Sequence, residues 1–240
     1  MSPKEKPRCD LHIHSCLSPC ADLLMTPGNI IQQAVKLGLD CIAITDHNSA
    51  GNIQVALQLA KAHGIKLIPA MEIETREEVH LLCYFPSLGA LLEWEAMVYE
   101  NLRNFKNDEA LFGHQLLTDM NDEYMAKEDR LLAMATQLSL SETMEKVTKL
   151  GGVVVPAHVD RSVNSILGQL GFIPPDAGIR VIEISRNTDP VDFLRIHPHL
   201  NHFRYIQSSD SHYLTEIGRC GGAVGCMMDE ELCSLIFRPF

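Results

Sequence analysis

Histidines and acidic residues recur in this 240-residue sequence in a pattern that could hold metal ions: His12-x-His14, Asp46-His47, Glu72, His80, His158 and Asp210-x-His212. Mixed imidazole and carboxylate donors suit Zn, Mn or Fe, whereas an all-oxygen set would indicate Ca or Mg. Side chains two residues apart on an extended strand leave it on the same side. His12 and His14 can therefore chelate one ion, and Asp210 with His212 repeats the geometry. No single motif is specific, but their joint occurrence points to a metal centre.

The elements that must position these groups follow from periodicity. Strands are expected at 8–14, 41–45, 66–71, 79–85, 153–158, 180–185 and 203–210, with a short one at 223–227. Helices are expected at 28–38, entered at Thr26-Pro27, and at 52–63, 162–170 and 190–196. Strands alternating with helices of this length imply βαβ units around a mainly parallel sheet. Most of the candidate ligands then fall at the C-terminal ends of strands, which a parallel barrel gathers on one face. His80 falls near the start of its strand and is the exception. Residues 90–150 show helical periodicity instead, and the stretch from Glu93 to Lys146 carries 12 acidic and 5 basic residues.

The ordered motifs DLHIHS (10–15), ITDHN (44–48), the EIE around Glu72 followed by His80, PAHVDR (156–161) and SSDSH (208–212) resemble those of the PHP (polymerase and histidinol phosphatase) phosphoesterases. The resemblance runs from residue 8 to about 220, apart from the 90–150 block. It implies an α/β fold, a distorted (β/α)7 TIM-like barrel formed by 1–89 and 151–240, with 90–150 as a helical insertion or cap. It also implies two or three divalent metals. His12, His14, Glu72 and Asp210 would hold one, Glu72, His80 and His158 a second, and His47 with His212 a third, completed from the first loop. Counting back from Thr26-Pro27 places Asp22 in that last slot, and Asp22 is the expected ligand; counting forward from His14 brings the alternative Cys20 closer, and a thiolate would favour zinc. Asp10 and Asp46 read as supports of the ligand imidazoles.

Such a centre generates a metal-bound hydroxide and polarises a phosphoryl oxygen, so no Ser or Cys nucleophile is required. Arg161, Arg219 and Arg186 are the candidates to hold the substrate phosphate. The expected enzyme is a hydrolase of phosphoric ester bonds acting on a small phosphorylated metabolite or a nucleotide. The alternatives are a 3'-5' exonuclease-like enzyme acting on short oligonucleotides and a non-catalytic metal-binding module. A formal net charge of -11 argues against a broad basic face for extended nucleic acid. No apolar stretch has the length of a secretory leader or a membrane span, and the 8 Cys form no CxxC pair, so the expectation is a cytoplasmic protein without membrane partners.

Overall fold

Local signals set the first βαβ units. Thr26 accepts the Asn29 N–H at the entrance of the first helix, Pro27 occupies its first turn, and Gly38 at φ 66° ends it in the left-handed conformation. The computed structural model describes residues 7–220 and the backbone of 223–224 and 226–227. In chain order the elements are β1 (Arg8–Ile13), α1 (Pro27–Leu37), β2 (Cys41–Ile44), α2 (Ile53–His63), β3 (Lys66–Glu74), β4 (His80–Tyr84), α3 (Leu88–Asn101), α4 (Glu109–Phe112), β5 (Leu116–Thr118) and β6 (Tyr124–Lys127). They continue with α5 (Leu140–Lys149), β7 (Val153–Pro156), α6 (Ile166–Leu170), β8 (Val181–Glu183), α7 (Pro190–Ile196), β9 (Arg204–Ile206), β10 (Arg219–Cys220), β11 (Ala223–Val224) and β12 (Cys226–Met227). No described helix is long and apolar enough to cross a membrane.

The main sheet runs β12-β1-β2-β3-β4-β7, and β8 pairs with β9 beside it. It is less uniformly parallel than the sequence suggests: β1, β2 and β3 are parallel, but β4 is antiparallel to both β3 and β7. A short turn, not a helix, joins β3 to β4, and so reverses the chain direction. The sheet curls: the Val159 N–H reaches the Glu183 carbonyl at 2.8 Å beside β8, and the His14 N–H reaches the Ser211 carbonyl at 3.0 Å between β1 and the segment after β9.

Alternation along each strand divides the core in two. Leu11, Ala43, Ala70, Leu82, Tyr84, Val155, Val181 and Ile206 fill the inside of the curl, where the Tyr84 hydroxyl donates to the Leu11 carbonyl at 3.0 Å. Ile42, Ile44, Met71, Ile73 and Leu81 instead join the larger outer core with Ile30, Ile31 and Trp94 from the helices. Glu72 follows Ile68 and Ala70 on the inward side of β3. His80 precedes Leu82 and Tyr84 in the same way on β4. Because β4 runs backwards, its first residue lies at the end of the sheet where β3 finishes, and Glu74 is paired with His80 in register. His80 therefore ceases to be an exception.

The 90–150 segment is not purely helical. It contains α3 from its third residue onward, the four-residue α4, a β5–β6 hairpin and α5. Leu91, Trp94 and Val98 of α3 enter the outer core. The hairpin region wraps the first loop: the Leu116 N–H donates to the Cys16 carbonyl at 2.8 Å, and a Cβ at Gly113 would run into the Pro19 carbonyl. Helical periodicity missed the hairpin because β6 is exposed throughout and has no apolar/polar contrast to display.

Candidate metal centre

His12 and His14 leave β1 at a register irregularity between Asp10 and Ile13, the kind of local break that re-aims side chains next to a site. Both rings are fully buried. Their Nε2 atoms lie 3.2 Å apart, and Asp210 Oδ1 lies 3.2 Å from the first and 3.3 Å from the second. Glu72 stands between the two strand sets. Its Oε1 is 3.4 Å from His12 Nε2, 3.1 Å from His80 Nδ1 and 3.5 Å from His158 Nε2, while its Oε2 is 3.4 Å from His14 Nε2 and 3.1 Å from His47 Nδ1. His158 and Asp210 have φ angles of 31° and 46°, a left-handed conformation uncommon for such residues and concentrated where function requires it.

Hydrogen bonds behind the rings fix which nitrogen is free. His12 Nδ1 lies 3.1 and 3.0 Å from the two oxygens of Glu183, a buried carboxylate that can only accept, so Nδ1 carries a proton and Nε2 is the nitrogen offered to a metal. Ser18 Oγ donates to Asp46 Oδ1 at 2.6 Å, which leaves His14 Nδ1, 3.0 Å away, to donate to Ser18. His14 Nε2 is then offered in the same way. His212 Nδ1 donates to the Asp210 carbonyl at 2.9 Å. The two imidazole Nε2 atoms and a carboxylate oxygen thus share one small buried space, and Glu72 Oε1 has no hydrogen-bond donor. These groups repel one another unless a cation or a proton stands between them, so the residues present fit divalent metals.

With no metal bound, a proton takes part of that place. Burial would lower His12, but Glu183, Asp210 and Glu72 outweigh it and hold the ring well above its usual range. Burial would likewise raise Asp210, yet His12 and His14 keep it well below the ordinary carboxylate range. His14 is pushed well down by burial and by His212 and His47.

Three groups of donor atoms come within 4.8 Å of one another: His12, His14 and Asp210; His47, Glu72 and His80; and His14, Cys20, His47 and His212. Of the histidines and carboxylates named from sequence as ligands, two fall outside these groups: His158, whose Nε2 still lies 3.5 Å from Glu72 Oε1, and Asp22. Asp22 does not join these groups; its carboxylate accepts the Leu24 N–H at 2.8 Å in a local turn, and its own N–H bonds to the His212 carbonyl. The first-loop side chain that reaches the cluster is Cys20. Packing raises its thiol, but His47 and His212 beside it bring it down to about 6.

Of the three candidate phosphate ligands, Arg161 pairs with Asp210 at the edge of the cluster. Arg186 donates to Glu216 at 2.7 Å, and Glu216 accepts the His212 N–H. Arg219 is exposed on β10. Asp46, read as a support, accepts from the Ser15 N–H, Ser15 Oγ and Ser18 Oγ. Glu183 and Ser18 were not singled out as supports by sequence. An acidic residue at an inward position near the end of the 180–185 strand is a signal that could have found Glu183.

The PHP domain matches residues 10–194 of this chain. The chain belongs to the PHP domain family. It is 39% identical over 97 residues to a DNA polymerase III PolC-type of Bacillus subtilis, a match covering 40% of this chain and 7% of the polymerase. It is 35% identical over 78 residues to the 5'-3' exoribonuclease Rnm of Salmonella typhimurium, covering 30% of this chain and 26% of that one. The lesion-specific endonuclease PfuEndoQ of Pyrococcus furiosus shares the fold, with a TM-score of 0.64 and 22% identity over 90% of this chain and 50% of the endonuclease. The chain thus spans half or less of each of these proteins.

Proposed function

We propose that this PHP-family protein hydrolyses a phosphate ester of a nucleotide or a short oligonucleotide at a centre of two or three divalent cations assembled on Glu72. The observation that carries this reading is the convergence of the His12 and His14 Nε2 atoms with Asp210 Oδ1 and the unpartnered Glu72 Oε1. His12, His14, Glu72 and Asp210 would hold one cation, and Glu72, His80 and His158 a second, with His47 close enough to Glu72 to contribute. Cys20 takes the first-loop place in the third set in preference to Asp22, and three imidazoles with one thiolate favour zinc there. Bound cations would supply the Lewis acidity that activates water and stabilises the charge on a phosphoryl group.

The remaining work falls to the chain itself. Glu183 and the Ser18–Asp46 pair hold the two β1 imidazoles in the tautomer that presents Nε2 inward. Arg161 places a guanidinium beside Asp210 where it can hold a phosphate oxygen through paired N–H donors. The nucleotide assignment is supported by the nucleases among the similar proteins, and a small phosphorylated metabolite is the competing substrate class.

The test is metal analysis of purified protein followed by hydrolysis of sugar phosphates, mononucleotides and short oligonucleotides in Mn(II) and Zn(II). Glu72→Gln should lose both metal and hydrolysis. Full metal content in that variant would remove Glu72 from the centre, and turnover of sugar phosphates alone would exclude the nucleotide reading.

A further inference from the structure

Beyond the last turn of β3 the rim of the site carries positive charge that the 90–150 segment as a whole does not. Residues 136–138 lie between the end of β3 and the end of α3: the Thr136 N–H donates to the Glu74 carbonyl at 2.9 Å, the Arg76 N–H to the Leu138 carbonyl at 2.7 Å, and the Gln137 N–H to the Asn101 carbonyl at 2.9 Å. The resulting open cleft is lined by Arg76, Arg103, Asn104, Phe105 and Gln137. It adjoins the metal centre, because Arg76 is two residues past Glu74 and the Glu74 carboxylate lies 3.8 Å from His80 Nε2.

The two guanidiniums are available. Arg76 has a 61% exposed side chain, and its nearest ion-pair partner, Glu77, is 4.0 Å away. Glu77 is already accepting the Leu140 N–H, and the neighbouring Glu142 accepts the Ser139 N–H and hydroxyl. Among the described residues Arg103 has no carboxylate within ion-pair distance. Phe105 is 55% exposed although it is large and apolar. Guanidiniums recognise phosphate oxygens, an exposed aromatic ring offers a stacking face to a base, and side-chain amides can bond base edges.

We infer that this cleft binds the nucleotide that flanks the scissile ester of a single-stranded oligonucleotide, with Arg76 and Arg103 on its phosphates and Phe105 against its base. This rests on the nucleotide reading of the metal centre and adds a place where an oligonucleotide, unlike a small ester, is held. The metal centre and the cleft then divide the work between bond cleavage and strand capture.

The experiment is fluorescence anisotropy of the full chain with a 5'-labelled single-stranded decanucleotide in Ca(II), across a salt series, beside hydrolysis of bis(p-nitrophenyl) phosphate in Mn(II). Losing two phosphate contacts in Arg76→Ala/Arg103→Ala should reduce the slope of log affinity on log salt by about 1.4, at ~0.7 per contact. Phe105→Ala should weaken binding roughly 5- to 150-fold with the slope unchanged. Hydrolysis of the small diester should stay at the wild-type rate in both variants. Wild-type affinity and slope in the double arginine variant would overturn the cleft while leaving the nucleotide reading intact. A wild-type protein that cleaves the small diester but neither binds nor cuts the oligonucleotide would overturn both.

Discussion

Replacing Glu183 by Gln removes a charge and an acceptor from behind His12 while keeping the side chain's size. The two carboxylate oxygens lie 3.1 and 3.0 Å from His12 Nδ1, and the second also accepts the His158 backbone N–H at 2.9 Å. A glutamine oxygen in the place of the second carboxylate oxygen could still accept from both, but the amide NH2 would then lie against the His12 Nδ1–H with no acceptor. A buried donor left without its acceptor costs about 1–3 kcal/mol. Loss of the outer carboxylate behind a ligand imidazole lowers metal affinity roughly 10- to 100-fold. The assay is competition of the Glu183→Gln variant and wild type for Zn(II) or Mn(II) against a chromophoric chelator, with urea unfolding of the metal-free proteins in parallel. Both the weaker binding and the loss of stability are expected, in a variant whose circular dichroism is unchanged. Wild-type metal affinity in the folded variant would refute the argument that Glu183 sets the His12 tautomer.

Cys20 yields a pH prediction. A thiol at about 6, against an ordinary 9.0, contributes stability that is fully present above pH 9 and is lost as the pH falls through 6. Alkylation of the metal-free protein by iodoacetamide at this position should be half-maximal near pH 6, read by mass spectrometry against a Cys20→Ser control; half-maximal reaction near pH 9 would contradict it. Asn48 ties the 131–138 segment to the centre, donating from Nδ2 to the Leu132 and Met134 carbonyls at 2.7 and 2.9 Å and accepting the Glu74 N–H. Asn48→Ala should therefore cost about 1–3 kcal/mol in urea unfolding and speed proteolysis within 131–138, and unchanged cleavage there would show that the clamp is idle.

Most strand and helix positions were legible because their alternation matches their burial. Cys41–Ile44, for example, sends Cys41 and Ala43 inward and Ile42 and Ile44 outward, as a strand covered on both faces must. The reversed β4 was not legible: the hydrophobic run of His80–Tyr84 reads the same in either direction, and only pairing with β3 fixes it. Ligands were found because imidazoles at strand ends are chemically conspicuous. Their supports were not, since Ser18 and Glu183 are ordinary residues whose role depends on partners brought close by folding; Glu183 meets His12 across 171 positions of sequence. Asp22 and Cys20 could not be separated by counting, because the turn that commits the Asp22 carboxylate to Leu24 is invisible until the loop is folded.

The protonation pattern of the metal-free centre leads to one further expectation. Burial disfavours charge on His12, His47 and His80, but nearby Glu72, with Glu183 and Asp210 at His12 and Cys20 at His47, raises all three above their ordinary value. His14 and His158 are lowered, chiefly by burial, and stay neutral. In the metal-free protein, then, protons occupy part of the space in which the carboxylates and imidazoles converge. A raised histidine contributes stability that is fully present below its unfolded value near 6.5 and is lost as pH rises through the folded value. Metal-free protein should accordingly lose this contribution on the alkaline side, while metal binding supplies the missing positive charge there. Filling the centre at pH 7 must expel those protons, up to about one from each of the three raised histidines, because ligand imidazoles bind metal only when deprotonated. Calorimetric titration of Zn(II) in buffers of different ionisation enthalpy measures that number directly. An enthalpy independent of buffer would show that the rings are neutral beforehand, and that the carboxylates around Glu72 do not hold the centre in its protonated form.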